Sequence, residues 1–350
     1  MDMTVLNKDL DPILVIDSYE SLIWTDRYAE CGDFELYNTI DELLLSTMKR
    51  DFYLLNPESE HVMCIETIRI TSDIEDGSRM IIEGYSLEKI LSRRVIWGNK
   101  KVSGTPQEVI KELLNDCIIN PTNANRQIKN FVFSESSDPS ITGLESFEAE
   151  YTGDNLYNIV TKICKENKIG FKITLDMDSK TFIFKLYAGV NRSYNQVENS
   201  YVIFSPSFDN LITANYMETS SALKTVALVA GKGEGESRTL YEVDTGGLTG
   251  IERRELFVDA SNLSTYDEAP MEQRGKEELS ECADISSFEG QAETRIMFKY
   301  GQDFFTGDIV QFADGYGHEA PARIVEMITS DGVDGLSVYP TFETIQKEGE

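Results

Sequence analysis

The first part of the chain carries short runs of β-branched and aromatic residues separated by turn-forming residues. Such runs, in which apolar and polar positions alternate, are typical of half-buried β-strands. Breaks fall at Gly32, at Asn56-Pro57 and within 73–78, where glycine, proline and small polar residues favour turns. The predicted strands are 13–16, 21–28, 34–37, 52–55, 61–71 and 79–84, and short helices are predicted over 40–48 and 85–94.

One stretch of this part, residues 23–36, places an aromatic, a cation and a second aromatic before a turn and a new alternating run. Trp24, Arg27 and Tyr28 lie on the first predicted strand of a hairpin. Gly32 in the turn is predicted to take a positive φ, which glycine adopts without steric cost. Arg27 is predicted to lie along an aromatic face as a cation–π partner. The pattern fits both an ordinary hairpin and a ligand-binding cluster, so it names no function.

The middle of the chain changes to a helical period. Thr105-Pro106-Gln107-Glu108 is a capping box with proline at the first helical position. A second helix is predicted to begin near Asp154 and to end at Gly170. A hairpin is predicted over 171–187, and the polar segment 120–153 is predicted to be mostly loop. Two helices and a hairpin indicate a compact α+β subdomain.

The last part returns to a β pattern. Its clearest strand is 292–300, where apolar or β-branched residues alternate with Glu293, Arg295, Met297 and Lys299. The other predicted strands are 201–204, 212–218, 225–229, 255–258, 308–312, 322–329 and 336–339, with one helix over 269–282.

This order of elements predicts an α+β, mainly β fold. It consists of two small antiparallel β-barrel domains with an intervening α+β subdomain and a helical insertion. The predicted first barrel is 1–97, the α+β subdomain 98–199 and the second barrel 200–345, with the helical insertion near 262–287. A chain of 350 residues is long enough for two or three such cores. No clear residue-level repeat relates the two β parts.

Charge narrows the possible functions. The chain has 61 acidic and 32 basic side chains, a formal net charge of −29. Such a surface repels phosphate, so no sequence-specific nucleic-acid binding is expected. The acidic balance indicates either simple solubility, or a surface that faces a basic partner or lets a polyanion pass. The chain has no apolar run long enough for membrane insertion and begins without a signal-peptide pattern.

Cysteines and histidines give no catalytic or metal pattern. The five cysteines lie far apart without a CxxC spacing, which favours free thiols over a disulfide framework or a zinc site. His61 and His318 have no neighbouring nucleophile or ligand set in the sequence. No metal, catalytic residue or cofactor is therefore predicted.

Two motifs lack the sequence context that the corresponding functional sites require. The glycines of 231–238 lie between two predicted strands beside Glu234 and Glu236, whereas a phosphate loop precedes a helix and avoids acids. We therefore expect a flexible inter-strand loop. Asp303 and Asp308 suggest the carboxylate pair of a glycosidase, yet among 61 acids some pair always has a suitable spacing.

Compact basic pairs occur at Arg93-Arg94 and Arg253-Arg254. In so acidic a chain these arginines are predicted to form specific salt bridges, including bridges between subunits. Exposed pairs of this kind contribute about 0–1 kcal/mol each. For Arg253-Arg254, which follow a glycine-rich turn, an ordinary solvated turn is the alternative.

Taken in order, several segments resemble the tail hub proteins of tailed phages and prophages, also called baseplate hub or tail-associated proteins, in the form common in siphophages. No single motif is specific, but the ordered set spans nearly the whole chain. Its members are Trp24-x-x-Arg27-Tyr28, Gly32-x-Phe34-Glu35-Leu36, Ile65-Glu66, residues 84–94, Gly231-x-Gly233-x-Gly235 with Arg238, residues 253–260, Tyr300-Gly301-x-Asp303-Phe304, Gly307-Asp308-Ile309-Val310 and Pro340-Thr341-Phe342.

The resemblance implies a homotrimeric ring at the distal end of a tail tube, in the virion tail tip. Two tail-tube-like barrels per chain would then give six similar domains, which adapts a sixfold tube to a threefold tip. The implied partners are the distal tail or tail-tube protein, the C-terminus of the tape measure, and a separate spike, fibre or receptor-binding protein. DNA would pass through an acidic lumen. Under this interpretation Trp24, Arg27 and Tyr28 are packing residues at a ring interface rather than ligand contacts.

Two alternatives remain open at this stage. One is a cell-wall-degrading tail enzyme, an acidic glycosidase, and the other is a carbohydrate-binding receptor module with an exposed aromatic platform. Many hub proteins carry a long C-terminal extension with such activities. The chain ends at Glu350, soon after Thr341-Phe342, so these functions are expected on another polypeptide or are expected to be absent. A structural protein rather than an enzyme is the favoured interpretation.

Overall fold

The computed structural model of the protein describes residues 2–40, 42–73, 77–263, 267–282, 285–292, 297–333 and 335–345. Within these residues the chain is mainly β, with shorter helical segments. No helix in the described ranges combines the length and the apolar composition that crossing a bilayer requires.

The N-terminal part forms seven strands, and the hairpin predicted at 23–36 is present. Helix α1, Glu42–Thr47, confirms the helix predicted at 40–48, whereas the helix predicted at 85–94 is a 3₁₀ helix, Leu87–Arg93. The first strand, Met3–Leu6, was not predicted. The strands are β1 Met3–Leu6, β2 Pro12–Ile16, β3 Ser21–Arg27, β4 Asp33–Thr39, β5 Tyr53–Leu55, β6 Val62–Asp73 and β7 Gly77–Ser86.

The middle part contains the predicted capping box at the start of α2. Thr105 N donates to Glu108 Oε2 (2.8 Å), and Glu108 N donates to Thr105 Oγ1 (3.4 Å). A π-helical turn, Asn115–Ile119, continues this helix. The elements are β8 Asn99–Gly104, α2 Pro106–Leu114, β9 Phe131–Ser134, α3 Pro139–Thr142, β10 Phe147–Thr152, α4 Leu156–Glu166, β11 Gly170–Asp176 and β12 Thr181–Tyr187.

The prediction of loop for 120–153 is wrong in part, because this segment contains β9, α3 and β10. Strand β10 pairs antiparallel with β8, and β9 pairs in parallel with β12, which is about fifty residues later in the chain. Strand β9 is the short apolar run Phe131-Val132-Phe133 and β10 alternates apolar and polar residues, so both have a local strand pattern inside an otherwise polar segment.

The C-terminal part contains nine strands and one longer helix among its described residues. Helix α5 confirms the helix predicted over 269–282. The elements are β13 Ile203–Phe204, β14 Asn215–Thr219, β15 Val226–Ala230, β16 Leu240–Asp244, β17 Glu255–Asp259, α5 Glu268–Ser280, β18 Ile285–Glu289, β19 Ile309–Ala313, β20 Glu319–Gly332 and β21 Ser337–Thr344.

The strand predicted at 292–300 is not found where the structure can test it. Residues 293–296 lie outside the described residues. Ala292 and Tyr300 form only isolated bridges, and residues 297–299 are in no strand. Tyr300 instead directs its hydroxyl to Asp26 (2.9 Å), a contact across 274 positions that no local alternation predicts.

Strands from both ends of the chain form one thirteen-stranded sheet. Its main path runs β14-β18-β21-β20-β3-β4-β7-β6-β5-β1-β2, and β19 joins β20 and β13 beside it. The N-terminal and C-terminal parts meet where β3 pairs antiparallel with β20. The described strands form no closed barrel, so the two-barrel arrangement and the domain boundaries stay predictions.

Two further three-stranded sheets share one pattern. In one, β11-β12-β9, the central strand β12 has an antiparallel and a parallel neighbour; in the other, β16-β15-β17, the same is true of β15. Helix α5 covers the second sheet and also packs on α4 and β10 of the middle part. There, Tyr151 Oη donates to Glu277 Oε1 (2.6 Å), and burial raises the pKa of Glu277 to about 7.

Candidate functional site

The β3–β4 hairpin places Trp24 in the protein core. Its ring lies opposite Phe34, with 6.2 Å between the ring centroids, and is only 1% exposed. The indole Nε1 donates to Asp26 Oδ1 (3.0 Å). Trp24 is thus part of a hydrophobic core in the structure, and its role at a ring interface stays a prediction.

Gly32 in the hairpin turn is required for space and not for a positive φ, which corrects the prediction. A Cβ at Gly32 would lie 2.0 Å from the carbonyl oxygen of Thr25. Its amide donates to Ser86 Oγ (2.8 Å), which fixes the turn against the end of β7. Close backbone approach is thus the reason for glycine at this position.

Arg27 links the two parts of the large sheet. Its Nε donates to Glu326 Oε2 on β20 (2.6 Å), and its guanidinium also donates to Asp33 and to the Cys31 carbonyl (3.0 Å). The guanidinium is therefore bound to carboxylates on both sides of the β3–β20 seam. In the structure as described it lies over no aromatic ring; the cation over Tyr28 is Arg323, with Cζ 5.1 Å from the ring centroid.

Tyr28 is the point where three parts of the chain meet. Its hydroxyl donates to the Lys168 carbonyl (3.2 Å) and accepts from Gly189 N (3.4 Å), and its ring meets the Tyr187 ring edge-on at 5.2 Å. Its backbone amide donates to the Val325 carbonyl on β20 (3.0 Å). Burial raises the pKa of Tyr28, so it remains a neutral packing residue.

A buried ionic group beside this junction was missed by sequence reasoning. His61 Nδ1 lies 3.2 Å from Glu88 Oε1, and Ile173 N donates to the same oxygen (2.6 Å). Burial opposes the imidazolium, but Glu88 and the nearby Asp26 outweigh it and raise the pKa of His61 to about 9. His61 lies 27 positions from Glu88, so no local motif could reveal the pair.

Asp26 completes the junction. Besides Trp24, its carboxylate accepts hydrogen bonds from Ser59 Oγ (3.0 Å) and Tyr300 Oη (2.9 Å). The carboxylate is buried, and its three donors come from strand β3, from the loop before β6 and from the C-terminal part. Asp26 therefore ties together segments that are far apart in sequence.

The predicted interface arginines all have partners within the chain. Arg93 lies 3.3 Å from Asp51 and 3.7 Å from Glu66, and Arg94 Nε donates to the Arg126 carbonyl (3.0 Å). These contacts do not test whether the side chains also reach another subunit.

The second arginine pair lies in the loop directly before β17, next to the small sheet β16-β15-β17. Arg253 pairs with Glu242 (3.2 Å), Asp244 (3.4 Å) and Glu255 (2.8 Å), while the Arg254 guanidinium donates to the Ser220 carbonyl. Here too an intersubunit role stays a prediction.

The glycine-rich segment 231–238 and the pair Asp303 and Asp308 have structural roles. Residues 231–238 connect β15 to β16, so the glycines do not open a long helix, and Arg238 Nε donates to the Gly231 carbonyl (2.9 Å). Asp308 is buried and accepts from Val190 N and Arg192 Nε, both at 2.7 Å. Asp303 accepts from Lys299 N (2.8 Å).

The thiols and acids form no metal centre in the part of the chain that the structure describes. No group of three or more histidine, cysteine or acidic side chains there has the geometry to hold a metal ion. The five cysteines are free, as predicted, and four of them are buried.

Three described strands of the large sheet pair with a single neighbour. Strand β2 pairs only with β1, β14 only with β18, and the two-residue strand β13 only with β19, so β2 and β14 are the two ends of the main strand path. Strand β2 exposes Ile13 (41%) and Val15 (57%), and β14 exposes Met217 (42%). Apolar edge strands present unpaired backbone groups to any partner strand.

Comparison with known proteins identifies the family. The family described as Siphovirus ReqiPepy6 Gp37-like protein matches residues 2–342. The chain belongs to this family. The resemblance to phage tail proteins that the ordered motifs suggested is thereby confirmed. No curated protein matches the sequence.

Solved phage tail proteins share the fold over nearly their whole length. The 43 kDa tail protein of prophage MuSo2 from Shewanella oneidensis has a TM-score of 0.58 at 11% identity, with 98% of each chain covered. The tail protein from Neisseria meningitidis gives 0.56 at 13% identity, covering 99% of this chain and 97% of that chain. Prophage tail protein gp18 from Listeria monocytogenes gives 0.53 at 14%, covering 99% and 96%. The family and these structures support a place in the virion tail.

Proposed function

We propose that this Gp37-like protein is a structural hub of a phage or phage-derived tail. Three copies form a ring that closes the distal end of the tail tube and adapts sixfold to threefold symmetry. The observation that supports this proposal is the single open sheet, which contains strands from both ends of the chain and whose main path ends in the edge strands β2 and β14.

The positions of the edges favour a ring over a twofold dimer. A contact between β2 of one copy and β14 of the next joins two different surfaces, which is a heterologous interface. Heterologous contacts close into rings when the rotation between copies allows it, and they remove the free edges at the same time. In such a ring, each copy contributes one half of its large sheet from the N-terminal part of the chain and the other half from the C-terminal part. This arrangement agrees with two tail-tube-like domains per subunit.

The remaining partners follow from a place at the tail tip. The ring contacts the distal tail or tail-tube protein on one side and a separate spike, fibre or receptor-binding protein on the other, and the tape-measure C-terminus reaches its lumen. DNA passes through without sequence-specific contacts, which the net charge of −29 favours because like charges repel.

A structural role is proposed in preference to an enzymatic one. Of the two carboxylates considered for a glycosidase, Asp303 and Asp308, Asp308 accepts hydrogen bonds from Val190 N and Arg192 and is only 2% exposed. Of the chain's two tryptophans Trp24 is buried and Trp97 is 61% exposed, so at most one tryptophan is available for an aromatic sugar-binding platform. The acidic glycosidase and the carbohydrate-binding module remain the alternatives to a structural hub.

Light scattering of the purified protein, followed by negative-stain microscopy, tests the proposal. We expect a mass near three times 39.5 kDa or ring-shaped particles, alone or after addition of the cognate tail-tube protein. A chain that stays monomeric in both conditions contradicts the ring. A monomer that digests peptidoglycan or binds cell-wall sugar establishes the corresponding alternative.

A further inference from the structure

A basic surface interrupts this acidic chain. It centres on a cleft of about 650 Å³ beside strands β5 and β6. Among its lining residues four are cations and two are acids, a local net charge of +2 in a chain of −29. These six residues, here called the basic cleft, are Lys8, Lys49, Arg50, Asp51, Glu66 and Arg93.

Two of the four cations are open to a ligand. Lys8 and Arg93 share Asp51, at 3.1 Å and 3.3 Å. Lys49 and Arg50 are exposed and form no ion pair with any residue that the structure describes. The cleft therefore contains two cations without an ion pair among the described residues, Lys49 and Arg50. Beside them, Lys8 and Arg93 are oriented by the Asp51 carboxylate.

The backbone holds these two cations on a fixed turn between α1 and β5. Asp51 has a left-handed φ of 62°, and its amide donates to the Ile65 carbonyl (2.8 Å). Ile65 N donates in return to the Phe52 carbonyl (2.8 Å). A turn bonded to the sheet in this way presents its side chains with little backbone entropy left to lose on binding.

Arg94 connects the cleft residue Arg93 to a further cation, Arg126. Arg94 donates to the carbonyl of Arg93 and, through Nε, to that of Arg126 (both 3.0 Å). The Arg126 guanidinium lies over the Trp97 ring, 4.4 Å from its centroid, and Trp97 is 61% exposed. An exposed tryptophan beside arginine is a frequent combination at the centre of binding interfaces.

We propose that this basic surface is a docking site for an acidic segment of another protein. Carboxylates of the segment bind Lys49, Arg50 and Arg93, and an apolar side chain of the segment packs against Trp97. Guanidinium groups favour carboxylates because they donate two parallel hydrogen bonds. Half-buried Phe52 and Ile68 add apolar lining to the cleft, which suits a peptide better than a free inorganic anion.

Charge favours an acidic protein segment over a nucleic acid or a second copy of the chain as the partner of this surface. A long nucleic acid or a second copy of the chain brings a large negative charge against a surface of −29, and that repulsion grows with the charge of both partners. A short acidic segment carries only the few charges that the cleft itself neutralises. Arg93 and Arg94 are also predicted at the ring interface, so the variants that test the docking site change only Lys49, Arg50 and Trp97, and each proposal can fail alone.

Fluorescence anisotropy tests the site with a fluorescein-labelled oligoglutamate peptide that carries one central phenylalanine. We expect saturable binding at low salt that weakens as salt rises. The double variant Lys49→Glu/Arg50→Glu should weaken it about tenfold or more, because a pair of attractions becomes a pair of repulsions. The matched control Lys232→Glu/Lys299→Glu changes the net charge equally at exposed sites elsewhere and should change the affinity less than about twofold.

Two further measurements complete the test. Trp97→Ala should weaken the phenylalanine peptide more than an all-glutamate peptide of the same length. Equal affinities for the cleft variant and the control, or no binding at low salt, overturn the proposal. Light scattering that shows self-association lost in the cleft variant, with peptide binding unchanged, overturns it in favour of a second copy.

Discussion

At the scale of single residues, Tyr28 shows how one side chain dictates the identity of its neighbours. A Cβ at Gly170 would lie 2.5 Å from the Tyr28 ring, and one at Gly307 would lie 2.3 Å from it. Both glycines are needed because the ring already fills the junction between three parts of the chain. Lys168, and not Gly170, takes the left-handed conformation after α4, which corrects the predicted helix end.

The close approach at Gly170 gives a direct prediction. Gly170→Ala should lower the free energy of unfolding by roughly 1–3 kcal/mol, the usual cost of overpacking a filled site. Gly231→Ala is the matched control. The nearest atom to its Cβ would be Met271 Cε at 3.5 Å, which is an ordinary van der Waals contact, and its φ is not positive. Urea unfolding of both variants measures the difference; equal stabilities would show that the Tyr28 ring moves aside freely.

The buried pair His61–Glu88 predicts a dependence of stability on pH. The pKa of His61 is raised from 6.5 to about 9 in the folded protein. A raised histidine pKa stabilises the fold fully below pH 6.5 and loses that contribution as pH rises through 9. The stability advantage of the wild type over His61→Gln should therefore be largest below pH 6.5 and shrink steadily towards pH 9.

Unfolding measured at intervals across this range checks the prediction. The expected change in the difference is on the order of 3 kcal/mol, since one pKa unit corresponds to about 1.4 kcal/mol. A substitution of His318, which pairs with Asp314, is a suitable control for His61→Gln. The His318 side chain is half exposed, so solvent weakens its interaction with Asp314. A difference between the wild type and His61→Gln that is constant with pH would contradict a charged His61.

At the scale of elements, the seam between β3 and β20 decides how the two ends of the chain combine. Seven residue pairs lie in register across it, from Arg27–Glu326 to Ser21–Gly332. The seam also carries the charged group of Arg27, Asp33 and Glu326. A hairpin that looks self-contained in the sequence is therefore one side of a long-range pairing.

A double-mutant cycle on Arg27 and Glu326 measures this link. We expect a coupling energy of about 1–3 kcal/mol, as for residues in one partly buried network. Arg69 and Glu83, a more exposed pair on β6 and β7, provide the comparison and should couple by less than about 1 kcal/mol. Equal coupling for the two pairs would show that the seam is held by backbone pairing and apolar packing alone.

At the scale of the whole molecule, the free edges β2 and β14 are what the proposed ring uses. Val15→Lys places a charge on the exposed face of β2, where its side chain is 57% exposed. Edge charges block strand pairing between chains while leaving the monomer stable. We therefore expect Val15→Lys to lower the mass measured by light scattering from the trimer to the monomer.

Ile251→Lys serves as the control for that substitution. Ile251 is 97% exposed in the segment before β17, a strand of the small sheet β16-β15-β17 and not of the large sheet, and the same charge change there should leave the ring intact. If both variants lose the ring, net charge rather than the edge governs assembly. If neither does, β2 is not the contact between subunits.

The sequence alone determined the elements whose signals are local. The capping box at Thr105, the hairpin around Gly32 and the helix α5 follow from neighbouring residues, because helix caps, turns and short-range periodicity depend on positions a few residues apart. The ordered motifs also led to the correct family. Charge and cysteine spacing were likewise readable without any structure.

Tertiary structure decided everything that depends on distant partners. The pairing of β3 with β20, the charge on His61 and the crowding of Tyr28 by Gly170 and Gly307 each join positions far apart in the chain. Residues 147–152 and 292–300 both alternate apolar and polar residues, yet only the first segment is a strand in the part of the chain that the structure describes, because a strand is stable only against a neighbour that local alternation does not identify. The basic cleft likewise appeared only when folding brought Lys8, Lys49 and Arg93 together.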